Sequence, residues 1–337
     1  MTRNTQTVSN PAARRTAPIP LVVLGEIRTC LLPHSSTLDG QATDELLALV
    51  PGATVRRRER PGPLAFSPRR AVGVDCHLAW GSTTSARVVG TVASTAVLVG
   101  GRLSQMSVHT IVVRAPQKKR RPWAHYIGQV GVTELIGTLP DPAIADEELV
   151  AGYLAAQGPA KTTLDLSSIC ARQLAGLREA PQLDQQPPLQ APTTRLRWTA
   201  QIGGSAGPAV SFRLDGELTR TANVIVRVPA EIPDALRFCQ DVAVHDWLLT
   251  VIDAKVRAAD GISDGRQVAV LAPVLEHLAH LWMPGAQVPG TMRSPWRDLQ
   301  AEASFSKQWT TRVEQVQRRI EVATYYAARG GNPAGDW

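Results

Sequence analysis

Aromatic residues make up only 5% of this 337-residue chain. Its four cysteines, Cys30, Cys76, Cys170 and Cys239, stand far apart among apolar neighbours. No C-x-x-C pair occurs, which excludes a zinc ribbon and a thioredoxin-type site, and the scatter predicts buried free thiols in a reducing compartment. No apolar run approaches the roughly 20 residues that span a bilayer. Residues 19–24 are too short for the apolar core of a signal peptide, so a cytoplasmic protein is expected. The chain has no G-x-x-x-x-G-K-[ST] and no G-x-G-x-x-G after a strand, and its serines near histidines show no nucleophile-elbow spacing. Gly203-Gly204-Ser205-Ala206-Gly207 falls between two apparent strands with no helix behind it, so it reads as a hairpin connection and not a phosphate cradle. No repeat of 20–50 residues is found. No cofactor is expected, and the chain reads as a binding protein before it reads as an enzyme.

What remains is a globular composition, 44% hydrophobic and 19% charged, in a chain long enough for one large or two ordinary domains. The formal net charge of +7, carried mostly by arginine, permits an anionic partner without requiring one. Residues 71–115 organise the rest: they are rich in Val, Thr and Ile and free of proline. Runs at 87–99 and 103–114 flank Gly100-Gly101, and the pair supplies the positive φ angles of a two-residue primed turn, so the stretch predicts a β-hairpin. A buried strand is predicted at 20–32. A short helix at 44–50 follows, capped by Asp39 or Thr43. Residues 125–139 suggest another strand with a short helical piece. Helices are predicted at 146–156 and 166–178. Strands at 195–202, 209–215 and 221–228 read as an antiparallel meander. Three more helices are predicted, the first from Pro233 to about Ala259, then 266–282 and 306–328, with a loop between the last two.

The predicted fold class is α+β, a β-rich N-terminal domain followed by a small antiparallel sheet with a C-terminal helical region. The expected organisation is a disordered arm (1–17), a β-rich domain with two trailing helices (18–180), a Pro-rich linker (181–194), a sheet-plus-helices domain (195–330) and a tail (331–337).

Two basic segments flank the β block: Arg56, Arg57, Arg58 and Arg60, then Lys118, Lys119, Arg120 and Arg121 followed by Trp123. Side by side they would form an anion-binding or nucleic-acid-binding face with Trp123 able to stack on a base. A pair of solvated loops is the plainer reading. His245-Asp246 on one helix and His277 with His280 on another are candidate metal ligands. A hydrolytic metal site would need them to converge. The i, i+3 histidine spacing is not that of the metalloprotease helix, and packing roles for both pairs weigh more.

Six segments, VLGEIRTCLL, GTVASTAVLVGGR, RRPWAHYI, RLRW, VHDWLLT and HLWMPGA, resemble an uncharacterised family of actinobacterial cytoplasmic proteins first noted in Streptomyces coelicolor. The resemblance runs over nearly the whole chain. It implies a gene beside that of a variant P-loop protein, and so a component of a multi-protein system with protein partners, a P-loop NTPase among them. It brings no catalytic residues. The expectation is a non-enzymatic adapter or scaffold. The alternatives are a nucleic-acid-binding module using 56–60 and 118–123, and a metal-dependent hydrolase on His245, Asp246, His277 and His280.

Overall fold

The first strand, β1 (Pro20–Leu31), shows how the molecule is layered. Val22, Leu24 and Cys30 point one way and Val23, Ile27 and Leu31 the other, and all six are buried. A strand buried on both faces needs a layer on each side and a neighbour on each edge. β1 has both. It runs antiparallel to β6 (Leu103–Arg114) and antiparallel to β8 (Thr194–Ile202). The computed structural model describes residues 20–80, 84–115, 119–137, 145–155, 162–203, 207–262 and 264–330; the expected arm at 1–17, the tail at 331–337 and Lys118 lie outside the described residues.

The predicted hairpin is β5 (Thr84–Val99) and β6, joined by three residues and not two, Gly100 and Gly101 at φ 59° and 63° followed by Arg102. The two strands pair with each other only where Ala93–Val99 faces Leu103–His109. Further along they part, and β7 (Val132–Ile136) enters between them, antiparallel to β5 and parallel to β6. Gly90 allows the entry: a Cβ there would lie 2.2 Å from the Val132 carbonyl oxygen. Thr91 Oγ1 fastens the wedge, accepting from Gly131 N–H at 2.9 Å and donating to the Gln129 carbonyl at 2.7 Å. The outer edge of β5 carries β4 (Arg70–Trp80), and next to it β3 (Leu64–Phe66) with β2 (Arg56–Arg58) beyond.

On the far side of β8 the three strands fall where the sequence puts them, but they are not a meander. β10 (Thr219–Val226) lies parallel to β8 and separates it from β9 (Ala209–Leu214). Burial explains the order: Ala222, Val224 and Val226 give β10 an apolar face to bury, whereas β9 is largely exposed and takes the edge.

Ten strands thus form one mixed sheet. On one face lie α1 (Gly40–Leu47), α3 (Ala145–Ala155) and α4 (Leu166–Arg178). Asp39 caps α1, accepting from Ala42 N–H at 2.8 Å, and Asp165 caps α4, accepting from Ser168 N–H at 2.9 Å. The other face is covered by α5 (Ile232–Ala258), α6 (Asp264–Leu278), α7 (Arg293–Ala303) and α8 (Phe305–Gly330). A five-residue helix, α2 (Trp123–Ile127), stands before β7. The segment expected as a loop between the last two helices contains α7, with Pro295 in its first turn, where a missing N–H costs no helical bond. The fold is α+β.

The Pro-rich segment 181–194 does not divide the sheet, because β8 beyond it pairs with β1 before it. Its prolines suppress regular structure, yet Leu183 is buried in the core under α4 and Leu189 in the core under α5. Trp247 Nε1 donates to the Pro192 carbonyl at 2.8 Å. The segment passes from one helical layer to the other and is held at each. No helix among the described residues is long and apolar enough to cross a membrane.

Candidate functional site

The two basic segments lie at opposite ends of β5. Arg56–Arg58 pair with β3, which faces Val97–Val99 of β5, while Arg120 bonds Asp75, which faces Val89. Eight residues of strand separate the two levels, roughly 26 Å at the usual rise. One anion-binding face built from both segments is therefore not present. The first segment is also engaged with the protein itself: Arg57 pairs with Asp44 at 2.8 Å, Arg58 donates to the Ala286 carbonyl and Arg56 lies over the Phe66 ring at 5.9 Å. Arg60 is exposed. The Arg57 guanidinium holds the Asp44 carboxyl below its usual range.

The four candidate metal ligands are not brought together, and no group of three or more His, Cys, Asp or Glu among the described residues is placed to hold a metal. His245 and Asp246 leave α5 in different directions. His245 Nδ1 sits 2.7 Å from the Asp241 carbonyl, and its ring stands edge-on to Trp282. Asp246 faces β10, where it accepts from buried Arg220 at 2.9 Å. Burial pushes the Asp246 carboxyl up, against the opposing pull of Arg220. Trp247, the next residue, is fully buried. His277 and His280 are partly exposed, and both imidazoles have their pKa lowered by desolvation and by the nearby Arg102 charge. All four cysteines are free, and burial raises each thiol, Cys76 to about 11, so none is held as a thiolate nucleophile.

The second basic segment sits beside an apolar surface in which Trp123, noted in the sequence, is joined by Ile127 and Val130, which were not. Trp123, Ile127 and Val130 are 37%, 61% and 41% exposed, spaced i, i+4, i+7 along α2 and the turn after it. Tyr126, on the inner side of the same helix, is buried and its hydroxyl accepts from Arg121 N–H at 3.0 Å. His125 pairs with buried Glu134 at 2.7 Å. The helix is thus anchored by its inner side and shows its apolar side to solvent. Lys119 and Arg120 are exposed beside it, and Arg120 lies over the Trp123 ring at 5.0 Å while pairing with Asp75 at 3.2 Å. Lys118, the remaining member of the segment, lies outside the described residues.

A second surface is concave. Where β8, β10 and β9 run past α3, a cleft of about 800 Å³ opens on the sheet, lined by Arg195, Arg197, Arg213, Ser211, Thr219 and Thr221 among others. Arg197 is committed to the protein, donating to the Tyr153 and Leu154 carbonyls at 3.0 and 3.1 Å. The signal for this surface is present in the sequence as polar alternation, R-L-R-W in β8, S-F-R-L-D in and after β9 and T-R-T-A-N in β10. Only the strand order places the three polar faces side by side.

No family model, no curated protein and no solved structure matches the chain.

Proposed function

We propose that this protein is a non-enzymatic adapter in a multi-protein assembly, and that it docks a protein partner on the outer side of α2. The observation that carries the reading is the joint exposure of Trp123, Ile127 and Val130 on an otherwise well-anchored helix and the turn after it. A contiguous apolar patch with a polar rim is the usual build of a recognition surface, and Trp and Arg are the residue types that most often dominate binding energy there. Lys119 and Arg120 set the charge of the rim, so the partner offers an apolar centre edged with carboxylates. The resemblance to a family implied in multi-protein systems points the same way.

The test is affinity purification of the tagged protein from its native host, with and without nuclease, beside the Trp123→Ala/Ile127→Ser variant. Stoichiometric proteins recovered in the presence of nuclease and lost from the variant are the expected result. Equal recovery by the variant would remove α2 as the docking element.

A second reading, nucleic-acid binding, uses the same residues, since Arg120 over an exposed Trp123 offers a platform for a base. It expects material that nuclease removes, with salt-sensitive binding abolished by Arg120→Glu.

A further inference from the structure

The cleft on β8, β10 and β9 is a separate matter from the α2 surface. The opposite face of these strands is packed under α5 and α7, with Leu196, Trp198, Ala222 and Val224 buried. On the cleft side α3 lies against β8, and among the described residues the helices packed on β10 and β9, α5 and α7, are on the opposite face. A sheet face open to solvent is ordinary. One that gathers guanidinium groups and free hydroxyls against an apolar wall is less so.

Two of the three arginines are available. The Arg213 side chain makes no hydrogen bond or ion pair among the described residues. Arg195 makes one long bond, Nη1 to Ser167 Oγ at 3.4 Å, and its buried Nε has no partner. A buried guanidinium N–H left unpaired is costly, and an anion supplied from solvent would satisfy it. The register sets the spacing. Arg195 stands level with Thr219 and Arg213 level with Thr221, so the two arginines bracket the middle strand diagonally. That is about 10 Å across two strand spacings and about 7 Å along the strand, within reach of two extended arginine side chains meeting over one group. The hydroxyls of Thr219, Thr221 and Ser211 make no side-chain bonds among the described residues; Thr219 and Thr221 lie between the two arginines, and Ser211 flanks Arg213 on the side away from Arg195. Ala151, Leu154 and Ala155 of α3 form an apolar side wall. Asp215, also on the lining, is the single acidic group there and opposes an anion, against the attraction of the arginines.

We infer that the cleft binds an organic phosphate monoester, with the phosphate held by Arg195, Arg213 and the strand hydroxyls and the organic body resting against α3. Two planar forks and several hydroxyl donors match a tetrahedral oxyanion, which can take bonds from several directions at once. The wall gives the ester an advantage over the free anion. This inference does not depend on the adapter reading.

The test is titration calorimetry of the full chain with phenyl phosphate, inorganic phosphate, phenol and malonate. Phenyl phosphate is expected to bind more tightly than inorganic phosphate, with phenol and malonate weaker than either. Arg195→Gln and Arg213→Gln should each weaken phenyl phosphate about tenfold, the loss of one charge-assisted pair, with unchanged melting temperatures showing that both variants fold. Arg195→Lys should recover only part of the loss, because it restores the charge and not the fork. No binding of phenyl phosphate, or binding indifferent to both substitutions, would overturn the site. Equal affinity for malonate would overturn the phosphate, and equal affinity for inorganic phosphate would overturn the ester. A single-stranded oligonucleotide bound more tightly than phenyl phosphate through Arg213 would reassign the cleft to nucleic acid.

Discussion

Along one cross-strand row Val108, Glu26, Arg197, Thr221 and Arg213 lie side by side on the same face of the sheet. Val108 and Glu26 are 0% and 1% exposed; Arg197 and Thr221 are half-buried, and Arg213 is exposed. The next row runs Thr110, Leu24, Thr199, Asn223, Ser211 and goes from buried to exposed in the same direction. The strands, their spacing and the opposite face are continuous across both halves, so the change follows the helices. Under α3 and α4 the face is built for burial, and even its charged members are paired, Arg28 to Glu26 at 3.0 Å. Beyond α3 the same face turns to arginine, threonine and serine. The contrast shows how a sheet's own alternation reports where a covering layer stops, and the candidate cleft begins at that border.

The largest effect that would sharpen the contrast is expected at Leu24, which is fully buried in the core under the helices. Leu24→Ala removes apolar surface and leaves a cavity, which typically costs about 2–5 kcal/mol. Urea unfolding should show this as a lower midpoint with an unchanged slope. A loss below about 1 kcal/mol would mean that the covered half is far looser than its burial indicates.

A second effect belongs to the covered half seen from its other face. His109 on β6 is 8% exposed, near Trp198, and its Nδ1 has no partner. Burial, helped by the charge of Arg69, brings the imidazole pKa down from 6.5 to about 4. The unfolded chain therefore takes up this proton first as pH falls. Stability is full above about pH 6.5 and drains away towards pH 4, by roughly 3 kcal/mol in all. His109→Leu should flatten this part of the stability–pH curve, read by denaturant melts at pH 7, 5.5 and 4. An unchanged slope would show that the histidine keeps its proton in the fold or that other groups set the acid limit.

How much of this was legible beforehand follows from the range of the forces involved. Strand and helix positions came through because burial on one or two faces writes a period into neighbouring residues, as in β1, β6, α4 and α5. The Gly100-Gly101 turn was readable for the same local reason. Strand neighbours were not. β7 enters between β5 and β6 because Gly90 lets backbones approach, and β10 takes the place next to β8 because its alternate residues need cover, and both depend on partners far along the chain. α7 was hidden by Pro295, which marks a loop unless it is recognised as a first-turn residue. The basic runs stood out as composition, yet their ends of the sheet are set by register. The α2 patch escaped because five residues are too few to show a helical period, and Arg195 and Arg213 become neighbours only through the strand order.

The smallest expected effect on folding lies on the open half, and it is the one that separates the two halves most cleanly. Thr221 sits between Arg197 and Arg213 in the first row, half-buried, with no side-chain bond among the described residues. Thr221→Val keeps the branched shape that a strand accommodates and deletes only the hydroxyl, so stability should stay within about 0.5 kcal/mol of the parent. If the cleft is a site, that hydroxyl is a donor to the bound anion, and phenyl phosphate affinity should fall about tenfold, the worth of one hydrogen bond to a charged acceptor. A stability loss approaching that of Leu24→Ala would instead place Thr221 under cover and erase the distinction between the halves. With both numbers measured, a residue that matters to the fold and one that matters to a ligand are told apart two strands from each other on a single face.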